Sequence, residues 1–344
     1  MRKERNAGFE YLRAIGCIAV IFIHVIYSGI LMYGQNLSFV ETVAYRSILN
    51  CLMWAVPCFI MVTGALLLDP EKQISYDKLF SKYIWRIIKA IVIFGVIFTL
   101  LECIFSNDGT GFTQLWTGLI EIFTGKTWSH MWYLYCLVGL YLLLPFYKMV
   151  TANAGKKELE YLLLIYLFFL SLIPLLKIWN TECGFYIHVS SIYPFWLFLG
   201  YYLNRWGTGK STLFYSILGT VGTGLLVILT FIRWKYNLDN MEILFGYSSI
   251  FVIMQTTGIA GFFFKVGQKE SSFWDKILKA VDGHSFGIYL IHLIFVRGMY
   301  KHLHFNPFEY GGMLGIIGMV SISFVLSYVI DGLLKKIAFF EAIL

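Results

Sequence analysis

Charge is what this chain has least of. Only 14% of its 344 residues are Asp, Glu, Lys or Arg, against about 25% in an ordinary soluble domain. Cysteine is sparse and scattered: Cys17, Cys51, Cys58, Cys103, Cys136 and Cys183 show no Cys-x-x-Cys spacing, which argues against a metal centre and against a disulfide framework. Internal repeats, low-complexity linkers and a soluble appendage are also missing, so residues 1–344 read as one integral membrane domain. What is abundant is apolar. The apolar fraction is 58% and the mean hydropathy is +0.71. Runs of about 20 apolar residues, the length that crosses a bilayer, recur almost end to end. The net charge of +7 is therefore read as membrane topology and implies no nucleic-acid partner.

The fold class expected is all-α, a polytopic bundle of about ten transmembrane helices. The candidate spans are 9–33, 43–68, 83–104, 130–150, 159–178, 189–203, 211–233, 243–266, 283–303 and 311–334. The sixth is short. A further apolar stretch at 115–124 is too short to span, and is expected at the interface or folded back. The basic start Met-Arg-Lys-Glu-Arg-Asn resembles a signal peptide, but no small-residue cleavage site follows, so the first run is read as an uncleaved helix. Most of the 27 lysines and arginines fall on one side if the N-terminus is cytoplasmic, which predicts both termini inside. The outer side then holds Arg46, Lys126, Lys177, Arg233, Lys235, Arg297 and Lys301. The stretch 297–304 runs against the rule.

Two ionisable groups interrupt the first span. Arg13 and His24 are eleven residues apart, so on a helix they return to within about 20° of one face, about 16 Å apart along the axis. Ionisable side chains at membrane depth are costly and usually face the protein interior. In the predicted orientation Arg13 sits near the cytoplasmic surface. His24 lies about 22 Å further in than Phe9, beyond the midplane of a core about 30 Å thick. The pair suits a long anionic ligand lying along the helix. Arg13 also reads as a snorkelling, topology-setting cation, and Glu10 shares its face and can pair with it.

Four ordered motifs carry a resemblance. Glu10-Tyr-Leu-Arg13-Ala-Ile followed by His24 resembles the Arg-x10-His signature of the membrane acyltransferase 3 family. Val56-Pro57-Cys-Phe59-Ile-Met-Val-Thr63-Gly64 is similar to its second-helix motif, with threonine in place of serine. His130-Met-Trp132-Tyr-Leu, running on to Leu140-Tyr141 and Pro145, is similar to its fourth helix. Ser285-Phe-Gly287-Ile-Tyr289-Leu-Ile-His292 resembles its late Ser-x-Gly-Ile-Tyr-x-x-His element. One departure stands out. Where relatives carry Arg-x-x-Arg at the start of the third helix, this chain has Tyr83 and Arg86, with Lys82 beside them. Charge is kept there, but one bidentate fork is lost. A late acidic residue of relatives aligns with Asp331.

The resemblance implies acyl transfer at the inner cell membrane, from cytoplasmic acyl-coenzyme A to a hydroxyl of an envelope glycan or lipid-linked sugar. Polysaccharide O-acetyltransferases are the members nearest in layout. Acetyl-CoA is then a co-substrate, with no tightly bound cofactor and no metal. Arg13, Lys82 and Arg86 are the candidate holders of the coenzyme A phosphates, since a guanidinium fork suits phosphate. His24 is the candidate general base, because the attacking hydroxyl must lose its proton and histidine titrates in the useful range. Ser285 and Tyr289 share or adjoin the face of His292, where they can orient the acyl carbonyl or join helices by hydrogen bonds. His130 and Trp132, with His292, are candidate acceptor-binding residues. Trp132 also fits an interfacial aromatic belt, and with Trp54, Trp116, Trp128 and Tyr193 it offers a stacking surface for a sugar. Pro57, Gly64 and Gly287 are read as sites of kinks and close helix approach. His188, His284, His302 and His304 receive no role. The rival readings are a secondary transporter or glycan exporter, which also needs polar groups at membrane depth, and a membrane sensor that binds without turnover.

Overall fold

The computed structural model describes residues 6–106, 112–184, 189, 191–267 and 273–344. Arg2, Lys3, Arg5, His188 and Lys269 lie outside the described residues. Among the described residues every regular element is helical.

The first helix, α1 (Ala7–Tyr33), begins where a cap permits it. The Asn6 side chain accepts the Gly8 N–H at 2.9 Å, and Glu10 places negative charge in the first turn; both favour a helix N-terminus. The second expected span is broken. Ser38 and Glu41 form a capping box at the start of α2 (Phe39–Cys51), and the chain restarts as α3 (Ala55–Leu67). Pro57 is the reason: it has no N–H for the Met53 carbonyl, and in the first turn of a new helix that loss costs nothing. The single turn α4 (Tyr76–Lys78) runs through a widened π turn, Leu79–Ile84, into α5 (Trp85–Ser106). The stretch expected to be too short to span forms α6 (Phe112–Thr124), of 13 residues.

The fourth expected span is also divided, into α7 (Trp132–Leu142) and α8 (Leu144–Asn153), with a bend of 54°. Pro145 cannot donate to the Tyr141 carbonyl there. Pro174 has the same effect further on: α9 (Lys156–Leu167) changes pitch through a π turn and a 3₁₀ segment that ends at Trp179. The short α10 (Tyr193–Trp206) follows, with Pro194 in its first turn. Next come α11 (Thr212–Tyr236), which ends at the left-handed Asn237, the 3₁₀ segment Asp239–Phe245, and α12 (Ile250–Val266). The chain closes with α13 (Phe273–Lys301), α14 (Met313–Leu334) and α15 (Ala338–Glu341).

Among the described residues, seven helical segments are long and apolar enough to cross a membrane, and the bent pair Thr113–Leu142 with Leu144–Asn153 makes eight. The expected spans outside that set are those at 189–203 and 283–303. Helix α10 has only 14 residues, about 21 Å of rise. Helix α13 carries Asp275, Lys276, Lys279, Asp282, Arg297 and Lys301.

The chain clusters into two compact units, Met1–Lys72 with Lys148–Asp282 and Gln73–Tyr147 with Gly283–Leu344. In the first, α3 and α10 touch backbone to backbone. A Cβ on Gly64 would fall 1.9 Å from the Leu197 carbonyl oxygen, and one on Gly200 would fall 2.0 Å from that of Met61. These paired glycines provide the close approach on which membrane helices rely. The second unit buries Phe94, Phe98, Met131, Leu134, Ile288, Leu290, Ile316 and Met319. It also buries a polar stripe: Ser323, Ser327 and Asp331, spaced by four on α14, are fully enclosed.

Candidate functional site

In the first unit α1 is unbroken for 27 residues, so Arg13 and His24 keep the common stripe that the spacing predicts. Arg13 is held by a group the sequence did not suggest. Its Nε donates to Asp282 Oδ1 at 2.6 Å and its Nη2 to Asp282 Oδ2 at 2.7 Å, across 269 residues of chain. The planar fork meets the carboxylate edge to edge, the strongest geometry open to an arginine. Glu10, the expected neighbour, is buried, and the bidentate partner is Asp282. His24 is half-buried, and its ring bonds the Val20 carbonyl one turn back. That bond selects the nitrogen that carries the hydrogen and leaves the other as the acceptor of the neutral ring.

The second unit holds two further clusters. In the first, the ring centroids of His130 and His292 are 5.5 Å apart, and His130 lies 5.5 Å from Tyr289. The Tyr289 hydroxyl donates to the His130 carbonyl. Each imidazole is also tied to the backbone, His130 Nε2 to the Leu290 carbonyl at 3.3 Å and His292 Nδ1 to that of Ile288 at 3.0 Å. Both histidines are buried. Phe98 stacks on Trp128 at 4.4 Å and touches the His130 ring. Arg297 covers the Trp128 ring at 4.4 Å while pairing with Glu102, which also pairs with Lys301. Of the expected acceptor residues, the structure therefore brings together His130 and His292, with Tyr289. Trp132 packs edge-on to Tyr133, and the tryptophan beside His130 is Trp128. Trp54 is likewise buried, whereas Trp116 is exposed.

The other cluster surrounds Asp331. This fully buried carboxylate accepts from His284 Nδ1 at 2.6 Å and from Lys335 Nζ at 2.8 Å, both on Oδ2. The His284 ring lies against Tyr328 at 4.4 Å. Asp331 Oδ1 is buried and makes no hydrogen bond among the described residues; it sits 1.7 Å from where a Cβ on Gly287 would be. Position 287 is thus glycine because a carboxylate occupies the space of its side chain. Nearby, Arg86 Nε donates to the Ile343 carbonyl at 2.8 Å and Nη2 to that of Leu344 at 2.6 Å, with the guanidinium over Phe286 at 5.0 Å. Lys82 is exposed and lies in the π turn that precedes α5. Tyr83 packs edge-on to Tyr141 at 5.7 Å. Ser285 is half-buried on α13.

Sequence reasoning missed Asp282, His284 and Lys335. For Asp282 no local signal existed, because it acts on a residue far away in the chain. Lys335 stands one turn beyond Asp331, at i+4, where the pairing was open to a local reading. The stripe at 323, 327 and 331 was visible as polar residues at i, i+4 and i+8 in an otherwise apolar helix.

Comparison with known proteins agrees with the motifs. A family model described as an acyltransferase domain matches residues 6–332. No curated protein and no solved structure matched the chain. With nearly its whole length covered, apolar helices throughout and the four motifs in order, the chain belongs to the acyltransferase 3 family.

Proposed function

We propose that this family member is an inner-membrane O-acyltransferase, spanning the bilayer about ten times with both termini cytoplasmic, that moves an acetyl group from cytoplasmic acetyl-CoA to a hydroxyl of an envelope glycan or lipid-linked sugar. The observation that carries the reading is the unbroken α1, which keeps a guanidinium and an imidazole on one stripe about 16 Å apart, comparable to an extended pantetheine arm. Arg13 engages the coenzyme A phosphates, and Lys82 and Arg86 add charge at the cytoplasmic end. Two of the five N–H groups of Arg86 serve Ile343 and Leu344, and the remainder serve phosphate. His24 accepts the proton of the acceptor hydroxyl as its oxygen attacks the thioester carbonyl. The C–S bond then breaks, and the proton passes to the coenzyme A sulfur. Ser285 and Tyr289 orient the acyl group, and His130, Trp132 and His292 line the acceptor side.

Asp282 positions Arg13 in this scheme. Asp282→Ala is expected to raise the KM for acetyl-CoA about tenfold, the worth of one charge-assisted hydrogen bond, with a smaller change in kcat. Equal falls in kcat and kcat/KM would instead place Asp282 in the transition state. The function as a whole is tested by mass spectrometry of envelope glycans from cells with and without the protein. O-acetyl groups present only with the protein support the reading, and identical glycan acylation in the two contradicts it.

A further inference from the structure

Arg46 and Arg233 take no part in the reaction above, and both lie at the end of the first unit that the proposed orientation makes extracytoplasmic. Positive charge is under-represented there in membrane proteins, so two guanidiniums in contact with one ring call for a reason. Arg46 Cζ is 5.3 Å from the centroid of the Trp234 ring, and Arg233 Cζ is 5.6 Å from it. Arg233 also faces Phe245 at 5.8 Å. The two cations are within electrostatic reach of each other, and a shared indole does not cancel their repulsion. Glu242 pairs with Arg233 and is two-thirds exposed, so one accessible carboxylate balances two arginines in the cluster.

The donors are also undersupplied with acceptors. Arg46 Nε and Trp234 Nε1 are both buried, and neither makes a hydrogen bond among the described residues. A buried N–H without an acceptor is unfavourable, and one on a cation more so. The floor beneath them is fixed, because Phe245 belongs to a core with Leu226, Met241, Leu244 and Val252. The site therefore combines excess positive charge, unsatisfied donors on touching side chains and a rigid apolar base. A tetrahedral oxyanion supplies what is missing, since several oxygens can serve both forks and the indole N–H at once.

We propose that Arg46, Arg233 and Trp234 form a seat for a phosphate group, for which Glu242 competes as the resident carboxylate. The phosphate reaches it as a lipid headgroup or on a soluble ligand, and the chemistry of recognition is the same for both. The seat does not depend on acyl transfer.

The test uses the full chain in a phosphate-free maltoside detergent, titrated with inorganic phosphate by equilibrium dialysis without any acyl donor. Saturable binding is expected, weakened about tenfold or more by Arg46→Gln and by Arg233→Gln, as the loss of one charge-assisted contact requires. Glu242→Gln is expected to tighten binding about threefold by removing the competitor; a merely structural ion pair predicts no gain. Because Glu242 is exposed, that variant keeps the proposal testable if an arginine variant fails to accumulate. In nanodiscs containing phosphatidylglycerol, loss of phosphate binding identifies the lipid headgroup as the natural occupant, and retained binding identifies a soluble one. Absent saturation, or affinities unchanged in the arginine variants and in Glu242→Gln, would overturn the seat.

Discussion

His24→Ala is expected to reduce acyl transfer by about 100-fold or more, the usual contribution of a positioned general base, while the protein accumulates in the membrane at its normal level. The two halves of that expectation have separate causes. Removing the ring leaves the acceptor hydroxyl without a base at the point where its oxygen attacks. The helix itself is spared, because alanine is the best helix former and the local bond lost is one from the ring to Val20 on the same helix. His24→Gln is the informative companion, since it keeps a hydrogen-bonding side chain of similar reach without a titratable nitrogen, and it is expected to be as inactive as alanine. Turnover within a few-fold of the native protein in either variant would remove His24 from the mechanism.

Gly287→Ala is expected to cost about 3 kcal/mol, in the range for breaking a buried ion pair, although it adds a single methyl group. That methyl would fall 1.7 Å from Asp331 Oδ1, so the carboxylate has to move. It cannot move cheaply, because its other oxygen is held by His284 and Lys335 and no water-accessible surface surrounds it. The effect is therefore an electrostatic loss produced by a steric cause, and a double-mutant cycle separates the two. Asp331→Ala alone leaves Lys335 without its carboxylate and is also expected to be destabilising. Once Asp331 is alanine, however, the contacts at 1.7 and 2.3 Å are gone, and the new methyl meets only the Cβ of residue 331, at 2.9 Å, which a small shift relieves. The double variant should be about as stable as Asp331→Ala alone, with strong non-additivity in thermal unfolding of the purified protein. Simple addition of the two losses would mean that the methyl clashes with something other than the carboxylate.

Much of the helical plan was legible because in a membrane it is written in apolar length. Helices α1, α11 and α14 lie within three residues of the expected boundaries at both ends, since caps and apolar runs coincide there. The breaks before α3 and within the fourth span were also written in the sequence, at Pro57 and Pro145, and Gly64 and Gly287 fulfil the close-approach role expected of them. Short or charged segments were harder. Helix α13 begins ten residues before the expected span, in a stretch whose charges hid it from an apolar-run criterion.

The candidate site was legible one helix at a time. The stripe of Arg13 and His24 follows from helical periodicity alone, but the partner of Arg13 does not. Glu10 was the reasonable local candidate, and Asp282 becomes its neighbour only through tertiary packing. His284 offered no signal, because an isolated histidine near a predicted loop acquires meaning only once Asp331 is found 2.6 Å away. In the same way the rings gathered around His130 include Phe98, Tyr289 and Trp128, of which Phe98 and Trp128 stand outside the motifs. Spacing within a helix fixes which residues share a face; it does not reveal what faces them.

Discharge of acetyl-CoA by the purified protein in nanodiscs, followed as free thiol, tests the central claim most directly. The account predicts steady thiol release by the native chain in the presence of a hydroxyl-bearing glycan, greatly reduced release by His24→Ala, and a raised KM for acetyl-CoA in Arg13→Gln. Release by His24→Ala at the native rate, or none from the native chain with acyl donor and acceptor both supplied, would contradict it.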